Sequence, residues 1–308
     1  YLYMGTDNGI LVYNYRADRY EQPETDFPTD VRTMALQGDT LWLGALNGLY
    51  TYQLQSRKLT SFDTRRNGLP HNTIYSIIRT RDNQIYVGTY NGLCRYIPSN
   101  GKFEGIPLPV HSSQSNLFVN SLLEDTVRQC IWIGTEGYLF QYFPSTGQMK
   151  QTEAFHNNSI KSLALDGNGD LLAGTDNGLY VYHNDTTPLQ HIIHDSRNIQ
   201  SLTNNIIWNI FADQEHNIWL GTDYGISLSR YNSALQFIPI SQITGTGDGN
   251  QFYSLFRDSK GFYWFGGTNG LIRFTDPAGE RHDTIWYRMG DKTYPLSLIH
   301  ISEPTRPY

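Results

Sequence analysis

The sequence predicts an all-β fold, a seven-bladed β-propeller of four-stranded antiparallel blades, and three observations carry this prediction. A short phrase recurs seven times at intervals in the range typical of one propeller blade. Within an interval lie four short runs rich in β-branched and aromatic residues, separated by turn residues. No stretch of ten or more residues carries uninterrupted helical spacing.

The recurring phrase begins Gly-Thr-x-x-Gly and continues with apolar and aromatic residues, as in GTDNGLYVYH from Gly174. Its first glycines stand at 5, 44, 88, 134, 174, 221 and 267, so the spacing runs from 39 to 47 residues. Asn-Gly suits a tight hairpin that needs positive φ. The Thr hydroxyl can bond the local backbone. The first Gly permits close approach of a neighbouring blade. We interpret the phrase as a hairpin between second and third strands. Two copies, GTEGYL and GGTNGL, have one residue fewer between Thr and Gly, and we expect shorter hairpins there.

The unit at 72–106 shows how one blade divides into strands. IYSII is predicted as the innermost strand, IYVGT as the second, GLCRY as the third and KFEGI as the outer strand, separated by TRDNQ, TYNG and PSNG. In another unit the first turn is DGNGD, where Asp166, Asn168 and Asp170 have the spacing that opens a calcium loop. The sixth position of that loop would be Leu171 instead of Gly, so a hairpin is favoured over a metal site.

Composition excludes several classes of function. The chain is 39% hydrophobic and 14% aromatic, enough for a substantial core, and its net charge of −6 gives no reason to expect nucleic acid or an anionic membrane as a partner. No apolar run approaches the roughly 18 residues of a membrane span. Cys94 and Cys130 lack metal-ligand spacing, so two buried thiols are favoured over a disulfide. We expect no cofactor.

The chain divides into a propeller at 1–295 and a tail at 296–308. The tail sequence LSLIHISEPTR fits no repeat and resembles the translation of an adaptor used in DNA library preparation, so we expect it to be non-native. The chain begins inside a repeat, and the first unit lacks an innermost strand. We expect sequence after Tyr287, near DKTYPLS, to supply that strand, because a blade shared by both chain ends closes a propeller ring. If the tail interrupts this segment, the closing blade stays incomplete.

The repeats resemble a known family. The pattern N-x-I-x-S-I-x-x-D…I-W-I-G-T-x-x-G-L-x-x-Y occurs in NNIIWNIFADQEHNIWLGTDYGI from Asn204 and in NQFYSLFRDSKGFYWFGGTNGL from Asn250. It resembles the two-component regulator propeller repeat, whose arrays form the periplasmic sensor region of hybrid two-component histidine kinases. Many members of that family regulate the uptake and breakdown of complex carbohydrates.

The resemblance implies a periplasmic, ligand-sensing fragment of a parent protein anchored in the inner membrane. The ligand would be an oligosaccharide or a glycan-derived product, and a homodimer would form through the parent protein. The kinase domains would lie outside this sequence, so the fragment itself is not expected to be an enzyme.

Alignment of the innermost strands gives the candidate site. The aligned hydroxyl or amide residues are Thr33, Ser76, Ser121, Ser162, Asn209 and Ser254. Four residues earlier an Asn recurs, which we expect to bond the loops between blades: Asn72, Asn158, Asn205 and Asn250. The residue directly before the aligned position varies and is polar or aromatic throughout: Arg32, Tyr75, Asn120, Lys161, Trp208 and Tyr253.

These six residues are predicted to bind the ligand, since flat stacking surfaces mixed with hydrogen-bond donors suit a sugar. The alternative is that they fill a wet channel in a propeller that serves structure or protein docking. An enzymatic propeller, a lyase or glycosidase, is a third hypothesis, for which Asp30, Glu124 and His71 are the acid–base candidates.

Overall fold

The computed structural model describes residues 1–21, 26–109, 117–152, 155, 158–231, 237–239, 251–268, 270–274, 282–285, 287–289, 292–294 and 298–302. Across these ranges the chain forms seven four-stranded sheets and one two-stranded sheet, and every strand pairing with a recorded register is antiparallel. A four-residue helix, α1 (Thr64–Asn67), is the one α-helix in them. The architecture is a seven-bladed β-propeller, which confirms the predicted fold class.

The chain groups into two compact units, one of 1–153 with 299–308 and one of 154–298. The first sheet of the first unit contains β1 (Leu2–Thr6), β2 (Gly9–Asn14), β3 (Arg19–Glu21) and β30 (Leu298–Ser302). Its second sheet contains β4 (Val31–Gln37), β5 (Thr40–Ala45), β6 (Gly48–Gln53) and β7 (Leu59–Phe62). The third contains β8 (Ile74–Arg79), β9 (Ile85–Thr89), β10 (Gly92–Ile97) and β11 (Lys102–Ile106). The fourth contains β12 (Val119–Asp125), β13 (Cys130–Thr135), β14 (Leu139–Phe143) and β15 (Gln148–Thr152).

The second unit repeats the same meander. Its first sheet contains β16 (Ile160–Leu165), β17 (Leu171–Thr175), β18 (Gly178–Tyr182) and β19 (Gln190–Ile192). The next contains β20 (Ile207–Ala212), β21 (Ile218–Thr222), β22 (Gly225–Ser229) and β23 (Phe237–Pro239). The last four-stranded sheet contains β24 (Phe252–Arg257), β25 (Tyr263–Gly267), β26 (Gly270–Phe274) and β27 (His282–Ile285). A hairpin of β28 (Tyr287–Met289) and β29 (Lys292–Tyr294) follows.

The first sheet takes its fourth strand from the other end of the chain. β30 lies next to β1, in the place where the first sequence repeat lacks an innermost strand of its own. The DKTYPLS segment contributes β29 to the separate hairpin instead, and β30 falls within the stretch 296–308. The expectation that this stretch is non-native concerns its origin, and it stays a prediction.

The recurring hairpins are closed by their threonines. Thr6 pairs with Gly9, and its Oγ1 accepts from the Asn8 N–H at 3.1 Å while donating to the Gly9 carbonyl at 3.0 Å. The hairpins at Thr89, Thr175 and Thr222 repeat both hydrogen bonds. Gly alone takes the positive φ, between 101° and 117° at positions 9, 92, 178 and 225. The residue before it, which is Asn in three of these hairpins and Tyr224 in the fourth, stays outside that region. Because the Thr pairs with this Gly, the two central turn residues are those between them.

The expectation of two shorter hairpins is wrong. In GTEGYL, Gly134 pairs with Leu139 and Thr135 bonds Tyr138, so Tyr138 takes the place that Gly9 has in the first hairpin. In GGTNGL, Gly267 pairs with Gly270, so the glycine equivalent to Gly5 is Gly266 and Gly267 replaces the Thr. Strand pairing keeps the two-residue loop in both cases, because loop length is tied to the register of the flanking strands.

Close approach of neighbouring sheets at the first Gly of the phrase is confirmed in both units. A Cβ added at that Gly would lie between 2.5 and 2.8 Å from the first residue of the following innermost strand. The glycine and strand residues in contact are Gly5 with Val31, Gly44 with Ile74, Gly88 with Val119, Gly174 with Ile207, and Gly221 with Phe252. Side-chain hydroxyls connect the sheets further: Thr33 Oγ1 accepts from the Ile77 N–H at 3.1 Å.

Three of the four-stranded sheets contain a buried indole that is fixed by an Asp carboxylate. Trp132, Trp219 and Trp264 donate from Nε1 to Asp125, Asp213 and Asp258 at 3.1, 2.9 and 2.7 Å respectively. All six side chains are buried, so each hydrogen bond joins the turn after an innermost strand to the sheet interior. The prediction of buried free thiols at Cys94 and Cys130 is also confirmed, and burial raises the pKa of Cys130 to about 12.

Candidate functional site

All six predicted ligand-binding residues lie at β-bulges. Each is the second residue of an innermost strand, and the pairing with the second strand skips it: the register passes from residue 31 to 33, 74 to 76, 119 to 121, 160 to 162, 207 to 209 and 252 to 254. A bulged residue is released from the ladder, and its side chain can be aimed away from the regular alternation. The bulge explains why this position varies in type while its neighbours stay buried and uniform.

In the second unit the structure brings three of these residues together. Lys161 Nζ lies 4.7 Å from the centre of the Trp208 ring, and the Tyr253 ring meets Trp208 edge-on with centroids 5.2 Å apart. Trp208 Nε1 donates to an Asp223 carboxylate oxygen, which fixes the indole orientation. All three bulge side chains are partly exposed. The result is a row of cation, indole and phenol that remains open to solvent.

In the first unit Tyr75 belongs to a second aromatic row. Its ring stacks on Phe118 with ring centroids 6.1 Å apart. The centroid of Phe118 lies 4.1 Å from that of Tyr90, and the centroid of Tyr90 lies 5.0 Å from that of His71. Burial raises the pKa of the Tyr75 phenol above its ordinary value, opposed by the positive charge of Arg32. The phenol therefore stays neutral and can donate a hydrogen bond at any physiological pH.

Asn120, the third bulge residue of the first unit, pairs with a turn residue instead of a ring. Its Nδ2 donates to Glu136 Oε1 at 2.8 Å. Glu136 occupies the first loop position of its hairpin, and so do Tyr90 and Asp223 in theirs. In two sheets the bulge residue thus bonds the first loop residue of the same sheet's hairpin, and in a third Phe118 contacts both residues.

Sequence reasoning missed these loop partners. The first loop residue of the phrase, which follows Thr in five copies and Ala45 in one, also varies: Asp7, Leu46, Tyr90, Glu136, Asp176 and Asp223. That variability was a usable signal, but the phrase was interpreted as architecture alone. Phe118 had no comparable signal.

The recurring Asn residues bond the loops, as predicted. Asn72 Oδ1 accepts from the Thr64 N–H at 3.1 Å, and Asn205 Oδ1 accepts from the His194 N–H at 2.6 Å. Asn158 Oδ1 instead accepts from the Tyr180 hydroxyl at 3.2 Å. Asn250 lies outside the described residues. The Asn position is therefore structural where it is seen.

The acid–base candidates do not form a pair. Glu124 lies four residues beyond Asn120 on β12, about 13 Å along the strand, and accepts from the Arg81 N–H at 2.7 Å. His71 Nδ1 accepts from the Thr73 N–H at 3.0 Å, which leaves the other ring nitrogen to carry a proton in the neutral form. The Asp30 backbone N–H donates a hydrogen bond to the Asp7 carbonyl oxygen at 2.9 Å.

Among the residues that the structure describes, no three His, Cys, Asp or Glu side chains are grouped to hold a metal ion. Nor does any helix in those ranges have the length and apolar character needed to cross a membrane.

Comparisons with known proteins place the repeats. The sequence profile described as two component regulator propeller matches residues 68–91, 201–224 and 246–269. The chain is 97% identical to the extracellular domain of BT4673 from B. thetaiotaomicron, with a TM-score of 0.73, over 96% of this chain and 40% of that one. A second solved structure of that domain, 98% identical, describes it as belonging to a hybrid two component system.

A curated relative extends the comparison. Histidine kinase P4 of Formosa agariphila is 28% identical over 312 residues, which is 89% of this chain and 21% of that protein. The chain therefore spans about two fifths of the solved domain and about a fifth of the kinase. Virginiamycin B lyase from Staphylococcus aureus, 11% identical with a TM-score of 0.64, shares the fold alone. Three segments of the chain thus match the two-component regulator propeller repeat.

Proposed function

We propose that this chain is part of the extracellular ligand-sensing region of a hybrid two-component histidine kinase, and that it binds an oligosaccharide through its bulge side chains. Near-identity to the BT4673 extracellular domain and similarity to a histidine kinase support the assignment to a sensor kinase. The parent protein would be anchored in the inner membrane with this region in the periplasm, and it would dimerise outside the present sequence. The chain itself would bind without catalysing a reaction.

The observation that supports oligosaccharide binding is the open row of Lys161, Trp208 and Tyr253 at successive bulges. An indole or phenol face suits the C–H face of a pyranose, and the hydroxyl, ammonium and carboxylate groups around it suit sugar hydroxyls. Tyr75 with Phe118 and Tyr90 offers the same chemistry in the first unit. Sensing further requires that the ligand bind two states of the parent protein with different affinity.

Screening by thermal shift and titration calorimetry against plant, fungal and host oligosaccharides tests the proposal. We expect one glycan family to bind, and we expect Trp208→Ala or Tyr75→Ala to weaken that binding roughly five- to tenfold through loss of a ring contact. Val127→Ala, at a side chain 83% exposed in a turn after an innermost strand, is the control and should bind as the parent sequence does.

The outcomes separate the competing functions. No binding by any glycan favours a docking propeller, and product formation favours a lyase or glycosidase. Binding with unchanged affinity in both aromatic variants would remove the bulge residues from the site.

A further inference from the structure

We propose that the second unit carries another carbohydrate site, a pocket for a single neutral pyranose between the sheets β16–β19 and β20–β23. The pocket opens beside the turns after β16 and β20, whereas the bulge residues lie at the starts of those strands. This site is separate from the bulge site and goes beyond the function proposed above.

The pocket is shaped by a turn glycine and a strained histidine. It has a volume of about 310 Å³, at the lower end of the range for small-molecule sites. Gly167 forms part of it, and a Cβ there would lie 2.8 Å from Tyr231 Cε2 and 2.9 Å from His216 Cβ. His216 has a φ of 61°, a conformation uncommon for residues other than glycine, and this φ places it next to Gly167. Only a glycine at 167 leaves both rings in their positions.

The lining combines an apolar part with an aromatic wall. Aliphatic side chains from both sheets line it: Leu172, Leu179, Val181 and Ile218. Tyr231, 43% exposed, stands beside His216 with ring centroids 5.0 Å apart and planes inclined at 50°. One face of a pyranose carries C–H groups, and that face requires apolar and aromatic contacts of this kind.

Polar groups in the pocket have unused hydrogen-bonding capacity. Ser229 is only 4% exposed, lines the pocket, and makes no hydrogen bond through its hydroxyl to any described residue. Asp166 Oδ1 accepts from the Asn168 and Asp170 N–H groups, both at 2.8 Å, while Oδ2 has no partner within the described ranges. A hydroxyl that lines a pocket can both donate to and accept from a ligand hydroxyl.

The charge of the lining favours a neutral ligand. Asp166, Asp170 and Arg230 line the pocket, and Asp170 contacts the His183 ring. The two carboxylates outnumber the one guanidinium, so they disfavour a uronate or sulfate while they accept hydrogen bonds from hydroxyls. The amides of Asn168 and Gln190 add donors and acceptors at the rim. This combination fits a neutral hexose residue better than an acidic sugar.

Saturation-transfer NMR and calorimetric titration with the methyl glycosides of glucose, galactose and mannose test the proposal. We expect one of the three to bind with a dissociation constant on the order of 1 mM. Ser229→Ala, which deletes one buried hydroxyl, should weaken binding at least threefold, and Tyr231→Ala should weaken it about tenfold. Circular dichroism melts of both variants check that the fold is kept.

Tyr224→Ala is the matched control, since it removes an exposed aromatic side chain of the same unit that does not line the pocket, and it should leave monosaccharide binding unchanged. Loss of binding in Tyr231→Ala and Ser229→Ala with retention in Tyr224→Ala supports the pocket. If none of the glycosides binds, or if binding survives both pocket variants, the proposal is overturned. Oligosaccharide binding sensitive to Trp208→Ala alone would support the bulge site without this one.

Discussion

At the scale of single residues, the carboxylates after the innermost strands hold the turns and the core together. Asp258 accepts from the Lys260 and Phe262 N–H groups, both at 2.9 Å, and from the Trp264 indole at 2.7 Å. It is 5% exposed and Trp264 is fully buried, so without the carboxylate the indole N–H would lose its acceptor in a dry environment. The same carboxylate-to-indole contact occurs at Asp125 and Asp213, so it recurs in three of the sheets.

Replacing Asp258 with Ala should therefore lower the free energy of unfolding by about 2 to 3 kcal/mol, because buried donors lose their acceptor. Asp176→Ala is the control, since Asp176 lies exposed in a hairpin turn of another sheet and its loss should cost no more than about 0.5 kcal/mol. Urea denaturation of both variants measures the difference. Equal effects would show that the indole contact does not stabilise the fold.

Asp125 gives a pH dependence. Burial alone raises the pKa of this carboxyl, but hydrogen bonds from the Arg128 N–H, the Arg128 guanidinium and the Trp132 indole outweigh it and hold the pKa below its ordinary value. The unfolded chain therefore takes up this proton at higher pH than the folded chain does. The stabilisation is present above the ordinary pKa of about 3.9 and is lost as the pH falls through the folded value.

We expect Asp125→Asn to be less stable than the parent sequence near neutral pH, and the difference in melting temperature should shrink as the pH falls from about 7 to about 2. Differential scanning calorimetry across that range measures it. A difference that is constant with pH would contradict the assignment of the lowered pKa to Asp125.

At the scale of elements, the first Gly of each phrase sets the distance between neighbouring sheets. A Cβ at position 88 would lie 2.3 Å from Ser76 Oγ, 2.5 Å from Val119 Cγ1 and 2.8 Å from the Val119 carbonyl oxygen. The backbone oxygen cannot rotate away, so Gly88→Ala should destabilise the fold by about 1 to 3 kcal/mol. Gly105→Ala on β11 is the control, because no atom lies within 4 Å of its added Cβ. Chemical denaturation of the pair should separate them, and equal stabilities would contradict the steric account.

Strand positions were predictable because their signals are local. The four runs of the unit at 72–106 became β8 to β11, where β9 and β11 have the predicted bounds and β8 and β10 are one residue longer at their C-terminal ends. Hairpin length was not predictable from the Thr-to-Gly count, since Tyr138 can stand where Gly9 does once pairing fixes the loop. The bulges were invisible for the same reason: an extra residue in a strand is defined only against its partner strand.

The candidate site was predictable in part. Alignment of the innermost strands found the variable position of Trp208 and Tyr75, because a position free of core packing shows its freedom in residue type. The loop partners Asp223 and Tyr90 were missed, since their contacts join segments 15 residues apart in sequence. Phe118 contributes only through its three-dimensional position beside Tyr90.

At the scale of the whole molecule, the repeat period predicted seven sheets, and the strand pairing of the first sheet depends on both ends of the chain. β30 covers the edge of β1 that would otherwise present unpaired backbone groups. Removing residues 296–308 should therefore lower the melting temperature of the first unit and increase aggregation. Light scattering during thermal melts of the full and shortened chains measures both effects. Identical melts would show that β30 adds nothing to the first sheet.

The central claim is that bulge side chains contact the ligand while the buried indoles serve the fold. Nitrogen-15 spectra of the indole N–H groups during titration with a binding oligosaccharide test it most directly, because the buried indoles of the second strands, Trp132, Trp219 and Trp264, are internal references. The account predicts a large shift of the Trp208 indole signal and no comparable change in those three. Saturable binding with the Trp208 signal unmoved would contradict it.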